Sequence, residues 1–225
     1  MIEEVRLPDG TDAFVVPLQR TDRAQLVAEF ETLAPESRRR RFLSPVMHLS
    51  DAMLDHIVDY VDGIDHVALV LCAETSPDVY DPVALARMVR SEDAPDAADL
   101  AVTVKDDWQG RGVATVLLEV LMRQRPVGVE RVVTEVFKAN PASLRMLHHL
   151  GRVTEEDLGQ GVYGVVVELE PMRGDTPRTP APVPASARVG ESSRATLLKD
   201  PAHRHTLRTR DEVCPWFGRG QAPHG

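Results

Sequence analysis

The chain has 225 residues, which at ~150 residues per domain is one domain and an appendage. Charge divides it unevenly: residues 1–171 carry 17 Lys and Arg against 30 Asp and Glu, while residues 172–225 carry 9 against 5 and seven of the 17 prolines. So acidic a body excludes a general nucleic-acid binder, whose affinity comes from neutralising phosphates. Two cysteines, Cys72 and Cys214, make neither a disulfide framework nor a four-cysteine zinc site.

The N-terminus Met1-Ile2-Glu3-Glu4-Val5-Arg6 has acids where a signal peptide needs bases. The apolar run 67–73 is far shorter than the ~18–20 residues of a membrane span. A cytoplasmic protein with no membrane contact is the expectation.

The elements follow in chain order. Residues 13–18 read as a short strand. Thr21-Asp22 offers a helix cap before Leu26, Val27, Phe30 and Leu33 at helical spacing, and Pro35 stops that helix. Residues 37–42 read as a short basic helix. Ser50-Asp51 caps another, with Met53, Leu54, Ile57, Val58 and Val61 on one face and Gly63 at its end. Three strand-like segments come next, at 66–72, 83–89 and 99–104, separated by the loop signals Asp81-Pro82 and 91–96. A helix at 112–123, a strand at 131–137, a helix at 140–150 closed by Gly151, and one or two strands ending with 162–169 complete the order. Antiparallel meanders joined to βαβ crossovers predict a mixed α/β sheet with flanking helices.

After Pro171 the periodicity is lost. The run TPRTPAPVP over 176–184 reads as a stiff polyproline-like linker. The expected organisation is a domain over 8–171 and a basic, Pro-rich, largely disordered extension over 172–225. In that extension His203, His205 and Cys214 lack a second ligand pair, so no metal is expected.

The chemistry concentrates in DLAVTVKDDWQGRGVATVLL, residues 99–118. An apolar strand runs into the turn Gln109-Gly110-Arg111-Gly112-Val113-Ala114, and an amphipathic helix follows. Glycines admit positive φ and close approach, loop amides can converge on one concavity, and the helix adds the positive end of its dipole. A pyrophosphate fits such a site. Neither GxxxxGK[ST] nor GxGxxG is present, and an ordinary tight strand–turn–helix remains the alternative from the glycines alone.

The same six residues fit the Q/R-x-x-G-x-G/A acyl-CoA loop, and the chain resembles the GNAT acyltransferase superfamily. Asn140-Pro141-Ala142-Ser143 and Leu150-Gly151 resemble its next block, and the element order from about 11 to 170 resembles its fold. The segment from Ala34 to Phe42 with Asp65-His66-Val67-Ala68-Leu69-Val70 resembles the bacterial protein-lysine acetyltransferase branch.

The resemblance implies roles. Val102, Thr103 and Val104 would pair with the pantetheine arm of acetyl-CoA, the acyl donor. Gln109, Gly110, Arg111, Gly112, Val113 and Ala114 would hold its pyrophosphate, with Arg111 adding charge. Asn140 and Ser143 would contact the pantetheine side, although Asn140 before Pro141 is also a normal helix N-cap. The catalytic base of related enzymes falls on Asp99, one methylene shorter than their Glu; a solvated strand-end acid is the alternative. Glu92 and Asp93 are weaker candidates. The family's usual Tyr acid falls on Leu147.

The acceptor implied is a primary amine, with a protein lysine favoured over a small-molecule amine. A non-catalytic acyl-CoA sensor is the alternative from another class. The protein is expected as a monomer or homodimer. His148 and His149 are expected at the surface or in packing, and Cys72 as an inert core thiol. Arg38 to Arg41 read as a solvated basic helix, or as residues that attract an acidic acceptor or a CoA phosphate; the resemblance places this region beside the acceptor site, which makes it a specificity candidate. Asp51, Asp55, Asp59, Asp62 and Asp65 read as a solvated acidic face, or as one that steers cationic substrates.

Overall fold

The computed structural model describes residues 2–170, so the linker and the basic extension expected over 172–225 lie outside the described residues. The fold is mixed α/β, built on one eight-stranded sheet. The strands are β1 (Glu3–Arg6), β2 (Asp12–Pro17), β3 (His66–Ser76), β4 (Val79–Arg90), β5 (Ala97–Val104), β6 (Arg131–Phe137), β7 (Gly151–Gly159) and β8 (Val162–Leu169). Their order across the sheet is β1-β2-β3-β4-β5-β6-β8-β7, and the one parallel contact is β5 with β6. Among the described residues the α-helices are α1 (Arg23–Thr32), α2 (Pro35–Phe42), α3 (Asp51–Leu54), α4 (Val113–Arg123) and α5 (Pro141–His148).

The centre of the sheet follows from composition. From His66 to Ala73, β3 is buried at every position, as its unbroken apolar run requires once both faces are covered. On one face α4 lays Val113, Leu117, Leu118, Val120 and Leu121 onto the sheet beside Leu69, Leu71 and Met88. Each such Leu contributes roughly 1.5–3 kcal/mol by leaving water. On the other face Val16, Ala68, Val70 and Cys72 lie against Ile57 and Val58. Cys72 is buried in the core, as expected.

Three expectations need correction. The helix expected from 51 onward keeps α-geometry only through Leu54, then widens into a π-helical segment over Asp55–Asp59. Asp81-Pro82 is not a loop but part of a long β3–β4 hairpin. Pro82 stands opposite Cys72 where the register shifts, a place where a strand tolerates a missing N–H. The acidic face is not simply solvated: Arg23 bridges Asp51, Asp55 and Asp59 at 3.2, 2.7 and 2.6 Å. Asp65 pairs with Arg90 at 2.6 Å. Burial raises the Asp62 carboxyl, but the backbone N–H groups of His66, Ile64 and Asp65 more than offset this and hold it below the usual range. These acids pin one element to another.

His66 is 5% exposed, and burial first, then Arg87, pulls its imidazole down to about 4 from 6.5. Between those values the unfolded chain binds the extra proton, so stability is complete above pH 6.5 and falls as the pH drops toward 4. Urea midpoints are expected to show about 2 kcal/mol less stability from this group at pH 5 than at pH 7. Much of that loss should disappear in His66→Gln; an identical pH slope in that variant removes His66 as the cause.

Candidate active site

The parallel contact of β5 and β6 is brief. Ala97 pairs with Arg131 and Ala98 with Val132, and the strands then part. The even-numbered residues of β5 present their main-chain groups to the resulting gap. Asp96 accepts from the amides of Glu130 and Arg131, and Leu100 accepts from Thr134 Oγ1 at 3.2 Å. The odd-numbered ones face β4: Ala97 accepts from Ser91, and the Lys105 N–H donates to Val83. By that alternation Val102 and Val104 carry main-chain groups into the gap, while those of Thr103 are directed to Leu85 on β4.

The gap opens toward the turn before α4. After a 3-10 turn at Asp106–Trp108, Gly110 and Gly112 take φ of +76° and +80°, and Gly112 is the N-cap of α4. Among the described residues, none of the amides of Gly110, Arg111, Gly112, Val113 and Ala114 is spent on a backbone carbonyl. Five N–H groups without a backbone partner, at the positive end of an 11-residue helix, are what an anion cradle needs.

The Arg111 guanidinium does not hang free over this cradle. It donates to Asp9 at 2.6 and 2.8 Å and to Thr11 Oγ1 at 3.1 Å, and its Cζ lies 3.9 Å from the centre of the Trp108 ring. Hydrogen bonds from the Thr11 side chain and backbone, then from Arg111, hold the Asp9 carboxyl down to about 2. The side chain thus ties the turn to the β1–β2 loop.

Asp106 ties the turn to α2. Its carboxylate accepts from the Ala34 N–H at 2.8 Å and from Ser37 Oγ at 2.5 Å, capping a helix whose own N-cap, Ala34, has no side chain to do so. Gln109 Nε2 donates to Asp106 Oδ1, Val104 O and Ser37 Oγ at 3.2, 3.1 and 3.4 Å. Loss of such a cap costs about 1 kcal/mol. Asp106→Ala is expected to lower the melting temperature by several degrees; an unchanged melt contradicts the capping role.

The basic run of α2 is only partly solvated. Arg38 donates to the carbonyls of Leu33, Glu31 and Met47, Arg40 pairs with Glu36, and Arg39 lies over the Phe137 ring at 4.4 Å. Arg41 turns toward the sheet and interacts electrostatically with Asp99.

Asp99 is half-buried on β5, opposite Val89 of β4. Arg41, Arg87 and His56 all lie within electrostatic reach of its carboxylate. Burial, then Arg41, draws Arg87 down to about 10, which leaves it charged at neutral pH. Burial, then Arg87, lowers His56, so both this imidazole and that of His66 favour the neutral form. Sequence reading passed over Arg87, His56 and His66, although an Arg inside the apolar run Val83 to Val89 was a visible signal. Glu92 and Asp93 are exposed in the turn before β5.

Asn140 caps α5: its Oδ1 accepts from Ser143 N at 3.3 Å and its Nδ2 donates to Ser143 Oγ at 2.7 Å. Leu147 is fully buried in the core, so no proton donor stands at that position. His148 approaches Glu155 at 3.4 Å and His149 meets the Arg145 carbonyl, both in surface positions. A recess of about 420 Å³ beside Arg152 and Glu168 lies at the opposite end of the strands from the turn. Among the described residues no group of three or more His, Cys, Asp or Glu could hold a metal, and no helix is long and apolar enough to cross a membrane.

Residues 33–151, from the end of α1 through the turn to the start of β7, match the family model described as Acetyltransferase (GNAT) family. The chain belongs to the GNAT acetyltransferase family. Acetyltransferase Pat of Mycolicibacterium smegmatis is 36% identical over 126 residues, covering 55% of this chain and 36% of Pat. This GNAT chain therefore spans about a third of that relative's length. Acetyltransferase PA5475 of Pseudomonas aeruginosa is 28% identical over 152 residues, 67% of this chain and 80% of the relative. Among solved structures, the GNAT domain of S. lividans PAT matches with a TM-score of 0.65 at 29% identity, covering 75% of this chain and 97% of that one.

Proposed function

We propose that this chain transfers the acetyl group of acetyl-CoA to a primary amine, with a protein lysine as acceptor. The observation that carries the reading is the parting of β5 from β6 beside five amides without a backbone partner at the start of α4. Membership of the GNAT family supports the donor, and similarity to Pat and to the GNAT domain of S. lividans PAT supports the lysine.

In this reading the amides from Gly110 to Ala114 bind the pyrophosphate, with Gln109 and the Arg111 side chain holding the turn in shape. Val102 and Val104, flanking Thr103, pair with the pantetheine arm; Asn140 and Ser143 border it. Acetyl-CoA supplies an activated thioester, and because a thiol of pKa ~8.5 leaves readily, the buried Leu147 need not be replaced by an acid. Asp99, set near two guanidinium groups, accepts the proton of the attacking amine through a water relay and passes it to solvent. The amine attacks directly, with donor and acceptor bound together.

Incubation of the full chain with acetyl-CoA and lysine-bearing proteins, read by mass spectrometry, tests this. Mass shifts of one acetyl on lysines are expected. Normal acetyl-CoA binding without acetylation of any panel member overturns it.

A further inference from the structure

The floor beside Asp99 holds charges that do not pair with one another. Arg87 lies opposite Ala68 on β3 and Ala101 on β5, while Val89 lies opposite His66 and Asp99. Directly opposed residues share a face, so Arg87, His66 and Asp99 stand on the same side of the sheet, Arg87 and Asp99 on a diagonal of about 7–8 Å. The two alanines offer the guanidinium no polar partner.

Arg87 is 7% exposed, yet its side chain makes one hydrogen bond, from Nη1 to the His56 carbonyl at 3.1 Å. Its Nε is buried without a partner, as is His66 Nε2. Among the described residues the Asp99 carboxylate joins no hydrogen bond and no ion pair within 4.0 Å. Arg41 of α2 adds a second guanidinium to the same group. With His56 and His66 neutral, two cations face one anion. A buried charge is costly unless paired and hydrogen-bonded, and this set lacks those partners.

We propose that Arg87, assisted by Arg41, forms a carboxylate-receiving subsite beside Asp99, so that the preferred acceptor is an amine that also carries a carboxylate. This rests on the transfer reading above and narrows its acceptor. The amine sits by Asp99; the carboxylate takes the unpaired donors of Arg87. Free lysine and a peptide lysine beside an acidic residue both offer this chemistry.

Two matched pairs separate them: lysine against 1,5-diaminopentane, and a peptide with Glu beside its lysine against the same peptide with Gln. The full chain is assayed for acetyl transfer from acetyl-CoA, and binding of each acceptor to the CoA-loaded protein is measured by calorimetry. The carboxylate member of at least one pair should be preferred roughly tenfold or more in kcat/KM, the scale of one charge-assisted hydrogen bond. Arg87→Gln should bring that ratio close to one. Arg41→Gln, a change at a half-buried helix position, should reduce it and serves if Arg87→Gln does not fold. Preference confined to the first pair assigns a small acceptor, and preference confined to the second assigns an acid-flanked protein lysine. Equal rates within both pairs, or a ratio unchanged by both substitutions, overturn the subsite. If nothing is acetylated, the transfer reading fails, and calorimetry still decides the subsite: tighter binding of the carboxylate member, lost in the variant, supports it, and equal or absent binding overturns it.

Discussion

Asp99→Asn is expected to lower kcat by about 10²–10³-fold, the usual contribution of a positioned general base, while acetyl-CoA affinity stays within about twofold. The substitution keeps the volume of the side chain and removes its ability to take a proton. A lysine amine has a reference pKa of ~10.4, so at neutral pH nearly every acceptor arrives protonated and unreactive. Without the base, the rate should follow the rare neutral amine and climb steeply with pH. The wild-type profile should be flatter. The pH–rate profiles of the two proteins, with calorimetry for acetyl-CoA, make the test. Equal kcat in both removes Asp99 from proton transfer.

Gly112→Ala is expected to destabilise the protein by about 2–5 kcal/mol and to weaken acetyl-CoA binding at least tenfold. Two costs add. An L-residue at φ of +80° costs roughly 1–2 kcal/mol, and a Cβ here falls 2.6 Å from Pro8 Cγ, an overlap whose relief costs roughly 1–3 kcal/mol. Relief moves either the β1–β2 loop, which grips Arg111 through Asp9, or the turn whose amides form the cradle. Gly110→Ala separates the two terms. Its φ of +76° is similar, but nothing lies within 4 Å of the added Cβ, so only the conformational cost of about 1–2 kcal/mol applies. Denaturant midpoints and acetyl-CoA titrations for the pair should rank Gly112→Ala as the more damaging; the reverse order contradicts the role of Pro8.

The turn was legible in the sequence because its parts are contiguous. An apolar strand, two glycines and a helix with Leu117 and Leu121 on one face declare a strand–turn–helix, whose main-chain amides need no distant partner to be placed. The Asn140 cap was legible for the same reason, since Ser143 stands three residues on. The π-helical segment after Leu54 was not. Its apolar positions satisfy ordinary helical spacing, and the widening accompanies burial of Ile57 and Val58 against the sheet.

What the sequence determined by itself is the family, the mixed α/β order of elements and the place of the glycine turn between β5 and α4, because each is written in local periodicity and adjacent residue types. What only the tertiary structure decided is which charges meet. Arg23 gathers three acids from 28 to 36 residues away, Asp106 caps a helix 69 to 72 residues before it, and Arg111 reaches back 102 residues to Asp9. The group around Asp99 draws Arg41, His56, His66 and Arg87 from four other segments. Strand register, not sequence spacing, puts Asp99 on the diagonal from Arg87, without a direct ion pair between them. The opening charge count made the body strongly acidic. The fold spends many of those acids on bracing, and beside Asp99 it builds a locally cationic floor, because in a packed sheet electrostatics follows which side chains share a face rather than the sum over the chain.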